Sequence, residues 1–202
     1  MSGLHSSKIE CLARRMLCDV TPNDSTIRFC LSSIRWLGVF ARDELPDLTK
    51  IQRPFALVFN TDPHDKPGQR WLAIYGPSDG PLEFFDSFGM PHSYYGLSTS
   101  LVYSCISLQS MSFALCGNYT IYFIYHRSRS VSFNKIISFL KSLSNSDSHV
   151  KTFVFSLQKA YRTINSCHRK GQCCILNVHF VSTLLQIDIT ISKIKFENYL
   201  IV

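Results

Sequence analysis

The chain has 202 residues, 46% hydrophobic and 17% charged, which excludes a disordered polymer and suits one globular domain with a sizeable core. Its net charge of +7 admits a polyanionic partner, yet the basic residues are scattered, so any nucleic-acid affinity would come from diffuse positive charge. No apolar run approaches the ~18 residues of a membrane span and the first residues carry no signal-peptide pattern. No membrane association or secretion is therefore expected, and the location is read as intracellular, nucleus and cytoplasm remaining open.

Ile9, Leu12, Ala13, Met16 and Leu17 repeat at three and four, predicting a helix over residues 7–18 with Ser7 and Glu10 as its capping box. Ile27, Cys30, Leu31 and Ile34 suggest a second short helix, with Asp24 near its start. The segment from Arg35 to Ala41 then runs to Pro46, which ends whatever precedes it. Three apolar runs read as strands: Phe55–Phe59, Trp71–Tyr75 and Leu82–Phe85. Turn-forming residues separate them, as in Asn60-Thr61-Asp62-Pro63 and Gly76-Pro77-Ser78-Asp79-Gly80, so they should neighbour one another in a mixed or antiparallel sheet. Residues 105–109 are a candidate fourth strand.

From Cys116 onward, Tyr119, Ile121, Tyr122, Phe123, Ile124 and Tyr125 are apolar nearly all round, as in a helix buried at the centre of a domain. Phe133, Ile136, Ile137 and Leu140 form a further amphipathic helix. Ser144–His149 reads as a polar linker, and Ile175–Val202 as two strands of a terminal hairpin. The predicted fold class is α+β, a mixed sheet packed by helices, with a domain over residues 1–160 and a C-terminal extension over 161–202.

The eight cysteines read mostly as buried thiols. Cys167-His168 with Cys173-Cys174 comes nearest to a zinc set but lacks a second pair at a recognisable distance, so no metal or other cofactor is expected. Chemistry concentrates elsewhere. Cys116-Gly117 opens the apolar helix, where the dipole favours a thiolate nucleophile, and Gln109, seven residues earlier, offers a side-chain N–H to an oxyanion. Asp86 ends a strand and is suited to orienting a histidine. Each has a plainer reading alone: a core cysteine, a polar strand residue, a turn aspartate.

Together the motifs carry a resemblance. Gly38-Val39-Phe40, Asp43-Glu44-Leu45-Pro46, Asn60-Thr61-Asp62-Pro63, Pro67-Gly68-Gln69-Arg70-Trp71-Leu72-Ala73-Ile74-Tyr75, Phe85-Asp86-Ser87-Phe88-Gly89, Leu108-Gln109-Ser110 and Cys116-Gly117-Asn118-Tyr119 occur in order across about residues 35–155. In this the chain resembles the adenovirus-type cysteine proteases, nearest by eye to those of Polinton/Maverick-like mobile elements. The resemblance implies the α+β fold shared with the ubiquitin-like-protein proteases and cleavage of peptide bonds in structural precursor proteins. It implies Cys116 as nucleophile, Gln109 as oxyanion donor, Asp86 as the acid, and Trp71 and Gly117 at substrate-binding positions. Ser128-Arg129-Ser130-Val131-Ser132-Phe133 is similar to the family's next segment, with Ser130 where glycine is commoner.

The family's histidine belongs immediately before Trp71, where this chain has Arg70. Arginine stays protonated and has no acceptor lone pair, so it cannot cycle a proton. His64 and His92, the candidate stand-ins, lie in predicted loops. The expectation is a thiol endopeptidase domain of mobile-element or viral origin, inactive or impaired. The alternative is a non-catalytic module that grips an extended polypeptide or a ubiquitin-like tail.

Overall fold

In a computed structural model of the chain, residues 5–18, 34–66, 68–111 and 114–169 are described. The protein is α+β, with a four-stranded mixed sheet packed against helices. The chain divides into two compact units, Met1–Lys151 and Thr152–Val202. The first holds the sheet and the helices α1 (Ser6–Cys18), α2 (Cys116–Arg127) and α3 (Phe133–Ser142). A fourth helix, α4 (Ser146–Arg169), runs through the boundary between the units, and the expected boundary at residue 160 falls within it.

The strands β1 (Arg35–Phe40), β2 (Phe55–Asn60), β3 (Trp71–Gly76) and β4 (Glu83–Phe85) lie in sheet order β1-β2-β3-β4. β1 and β2 are parallel, and the other pairs antiparallel. The parallel pair needs a crossover, supplied by residues 41–54 with two 3-10 turns, Arg42–Glu44 and Leu48–Lys50. All six residues of β2 are buried, so both faces of the sheet are covered there. Phe55, Leu57, Phe59, Leu72, Ile74 and Phe84 gather with Leu48 and Tyr95 into one core layer.

On the other face, Ala56 stands opposite Tyr75, Val58 opposite Ala73, and Ala73 opposite Phe85. The small side chains let α2 approach closely. Phe85 stacks on Phe123 of α2 with ring centroids 4.5 Å apart and planes 7° off parallel. Every residue of α2 is buried, as its all-round apolar pattern predicts. Its far end is tied to the sheet by Arg127, whose Nε and Nη2 donate to the Glu83 carboxylate at 2.7 and 2.9 Å.

Several expectations change. Residues 105–109 form no strand: the isolated bridge to β4 comes earlier in the chain, at Val102 with Glu83, and Leu108 N and Gln109 N both turn to the Ser87 carbonyl, beyond the end of β4. Ser144–His149 is not a linker: α4 starts at Ser146, and Asp147 is buried and hydrogen-bonded. Ser7 lies inside α1 rather than at its cap, while Glu10 accepts from Trp36 Nε1 of β1 at 3.2 Å. The predicted helix around Ile27–Ile34 and the terminal hairpin lie essentially outside the described residues. Ser130, at the position where the resemblance favours glycine, adopts φ 62°, the left-handed region glycine enters without strain.

Gly89 shows the same constraint more sharply. Its φ is +72°, and a Cβ there would sit 2.7 Å from the Ile106 carbonyl carbon and 2.8 Å from that of Cys105. Gly89→Ala combines backbone strain with a clash against main chain, and should destabilise the protein by about 2–4 kcal/mol in urea unfolding. A loss under ~0.5 kcal/mol would show that residues 105–106 yield freely.

His126, on the last turn of α2, has its ring centroid 4.2 Å from that of Tyr122. Burial pushes its pKa down to about 3, and Arg129 and His149 act in the same direction. The unfolded chain thus binds this proton from about pH 6.5 downward while the folded chain refuses it until about pH 3. The stabilisation is present above pH ~6.5 and lost as pH falls, at up to ~1.4 kcal/mol per pH unit. His64, raised by its Asp43 partner, has the opposite sign: its contribution is present below ~6.5 and lost as pH rises through its folded value. Between pH 6.5 and 5, His126→Phe should flatten the loss seen in the wild type. An unchanged slope would contradict a neutral, buried His126.

Candidate active site

β3 and β4 end unevenly. Their last pair at this end is Ala73 with Phe85, and antiparallel continuation would set Trp71 against Ser87. The chain instead turns at Asp86. The Trp71 backbone N–H donates to Cys116 Sγ at 3.4 Å. The start of β3 and the first residue of α2 therefore meet directly, and Arg70 precedes that contact by one residue.

Asp86 is held by its own turn. Its Oδ1 accepts from Phe88 N at 2.9 Å, and its Oδ2 from Met90 N at 3.1 Å and from the Tyr95 hydroxyl at 2.8 Å. The Arg70 guanidinium lies over the Phe88 ring, 4.4 Å from its centroid. Tyr95 joins the two, bonding Asp86 with Arg70 beside its hydroxyl. Burial, then the Asp86 bond, push the Tyr95 phenol well above its ordinary range, against the opposing pull of Arg70.

Gln109 comes to the same region through the residue after Asp86. The Ser87 carbonyl accepts from Leu108 N at 2.8 Å and Gln109 N at 3.0 Å, while its hydroxyl donates to Gln109 Oε1 at 2.8 Å. Gln109 is 5% exposed and Cys116 7%.

The thiol differs from expectation. Burial pushes its pKa up, and the nearby Asp86 charge adds to this; the N–H groups of Trp71, Gly117 and Cys116 pull the other way and lose. Helix dipole and backbone donors do not outweigh desolvation here, so Cys116 rests as a thiol. Arg70 is turned to Phe88 and Tyr95.

The loop histidines have other partners. His64 is exposed and pairs with Asp43, Nδ1 to Oδ2 at 2.6 Å, with its backbone N–H on Asp43 Oδ1 at 2.9 Å. His92 has its ring against Phe84 and Tyr103. The cysteines of the conceivable zinc set lie beyond the described side chains, and among the described residues no group of three metal-ligating side chains occurs.

Sequence reasoning missed Tyr95, whose His92-Ser93-Tyr94-Tyr95 setting carries no motif, and the bonding role of Ser87 inside a motif it had singled out. Chemically, the arrangement offers a buried thiol, a carboxylate and a carboxamide on adjoining elements. Position 70 carries an arginine, which has no lone pair to accept a proton. No protein-family model matches the chain, and no curated protein matches it. No helix among the described residues is long and apolar enough to cross a membrane.

Proposed function

We propose that this chain is a thiol endopeptidase-type domain of the adenovirus-protease kind, of viral or mobile-element origin, whose general base is missing. Cys116 is its nucleophile-type residue, Gln109 its oxyanion donor and Asp86 its acid. Arg70 occupies the base position, and Trp71 and Gly117 border the peptide. The domain grips an extended polypeptide and turns it over little or not at all.

One observation supports this most: Trp71 N–H meets Cys116 Sγ at 3.4 Å, which brings the residue before Trp71 beside the thiol. A histidine at that residue would take the thiol proton and return it to the leaving amine. Arg70 has no lone pair for either step, and loss of such a triad member costs on the order of 10⁴–10⁶ in rate.

The test pairs peptide cleavage with thiol labelling. The wild type should cleave peptides no faster than Cys116→Ala. Iodoacetamide should modify the exposed Cys11 and Cys105 well before Cys116 at pH 7, with the gap closing above pH 9. Cleavage by the wild type that Cys116→Ala abolishes would overturn the claim of a missing base.

A further inference from the structure

Gln109 lies in a segment that belongs to no helix or strand, yet its main chain is gripped on both sides. Leu108 O accepts from the Ser146 hydroxyl at 2.7 Å, and the Tyr119 hydroxyl lies 3.0 Å from the same oxygen. Ser110 N donates to Asp147 Oδ2 at 3.1 Å, and the Tyr119 hydroxyl donates to Asp147 Oδ1 at 2.8 Å. Asp147 is 8% exposed, the second residue of α4, where the helix dipole favours a carboxylate. Tyr119 is one helical turn after Cys116 on α2.

We infer that Asp147 is a positioning residue for Gln109, tying the Leu108–Ser110 main chain through Tyr119 to the helix that carries Cys116. This rests on the reading of Cys116 and Gln109 given above. An oxyanion donor works only if it waits about 2.7–3.1 Å from where the oxygen will be, so the span from nucleophile to donor has to be rigid. Here that span is short. It passes from Cys116 along one turn of α2 to Tyr119, across one hydrogen bond to Asp147, and across a second to Ser110. Ser87 holds the side chain separately, donating to Oε1 at 2.8 Å. Charge-assisted bonds of a buried carboxylate are stiffer than those of a neutral acceptor, which suits an acid here better than an amide.

The reaction that reads this geometry needs no base. Cys116 Sγ adds to the carbonyl carbon of an aldehyde: an S–C bond forms, the C=O π pair moves to oxygen, and that oxygen takes the thiol proton. The product is a hemithioacetal whose oxygen occupies the oxyanion position. Iodoacetamide alkylation forms an S–C bond and expels iodide, with the proton going to solvent, and makes no use of that position.

The experiment uses the full chain and an acetylated dipeptide glycinal, with affinity read as protection of Cys116 from iodoacetamide at pH 9. Gln109→Ala should weaken the aldehyde by about 10²-fold, the scale of one lost oxyanion donor. Asp147→Ala should weaken it by a similar factor, and the double variant no further, since both changes remove one function. Alkylation of Cys116 without aldehyde should stay within about twofold of wild type, a readout that general loosening of the fold would move.

Wild-type affinity in Asp147→Ala, or losses that multiply in the double variant, would overturn the inference while leaving the site reading intact. Equal affinity in wild type and Gln109→Ala would overturn both. Should Asp147→Ala fail to fold, Ser146→Ala decides. It removes one bond to Leu108 O, and should weaken the aldehyde by about threefold with alkylation unchanged. No change in the aldehyde would sink the proposal.

Discussion

Arg70→His is expected to create peptide cleavage that exceeds the wild-type rate by orders of magnitude, and Cys116→Ala should abolish the gain. The new imidazole would stand one residue from the backbone N–H that touches Cys116 Sγ. The Asp86 carboxylate is already fixed by Phe88, Met90 and Tyr95, and among the described residues Oδ1 accepts from Phe88 N, which leaves it capacity for an imidazole N–H. A neutral histidine accepts the thiol proton, and the resulting imidazolium beside the sulfur opposes the burial that now holds the thiol protonated. The variant should therefore also label faster than wild type at Cys116 near pH 7. Equal cleavage by both proteins would mean that another residue serves as base. A folded variant without gain would show that the site lacks more than the histidine, favouring a purely binding role.

The second large effect concerns stability. Glu83→Ala should cost about 3–5 kcal/mol in urea unfolding, because it leaves a guanidinium unpaired where water hardly reaches. The Arg127 and Glu83 side chains are 10% and 12% exposed. Arg127 also lies over the Tyr75 ring at 4.5 Å and donates from Nη1 to Val131 O at 2.6 Å. Burial pushes the Glu83 pKa up, ahead of the opposing pull of Arg127, so desolvation is a real opponent of this pair. Replacing both residues by leucine should accordingly recover much of the loss. A cost below 1 kcal/mol for Glu83→Ala would mean that water enters the site.

Legibility in the sequence followed the strength of local pattern. β2, β3 and β4 are bounded by turn residues, and α2 shows itself by an apolar pattern all round its axis, so the elements that carry Trp71 and Cys116, and the strand that Asp86 follows, are legible in advance. β1 could not. Its register shifts between Trp36 and Gly38, with Gly38 at φ 131°, and the bulge breaks the alternation that marks a strand. The start of α4 was hidden because Ser144-Asn145-Ser146-Asp147-Ser148 looks solvated; only tertiary partners reveal that Asp147 is inside. The thiol's resting state was misjudged for a related reason. A helix N-terminus is visible in sequence, whereas the desolvation that outweighs it depends on what surrounds the sulfur.

The all-buried α2 also bears on how this chain can drift over generations. Cys116 and its eleven successors sit among packed neighbours, so nearly any replacement there is purged for folding, whether or not the thiol ever reacts. Arg70 is only partly buried, just before β3, where selection for packing is weaker than inside α2. If the chain descends from a thiol protease, as proposed above, drift without the demand for catalysis would lose the base first and keep the nucleophile long afterwards. On that reading, an intact Cys-Gly opening a buried helix testifies to a fold still under selection, and the residue before Trp71 is the one that would tell whether an enzyme remains.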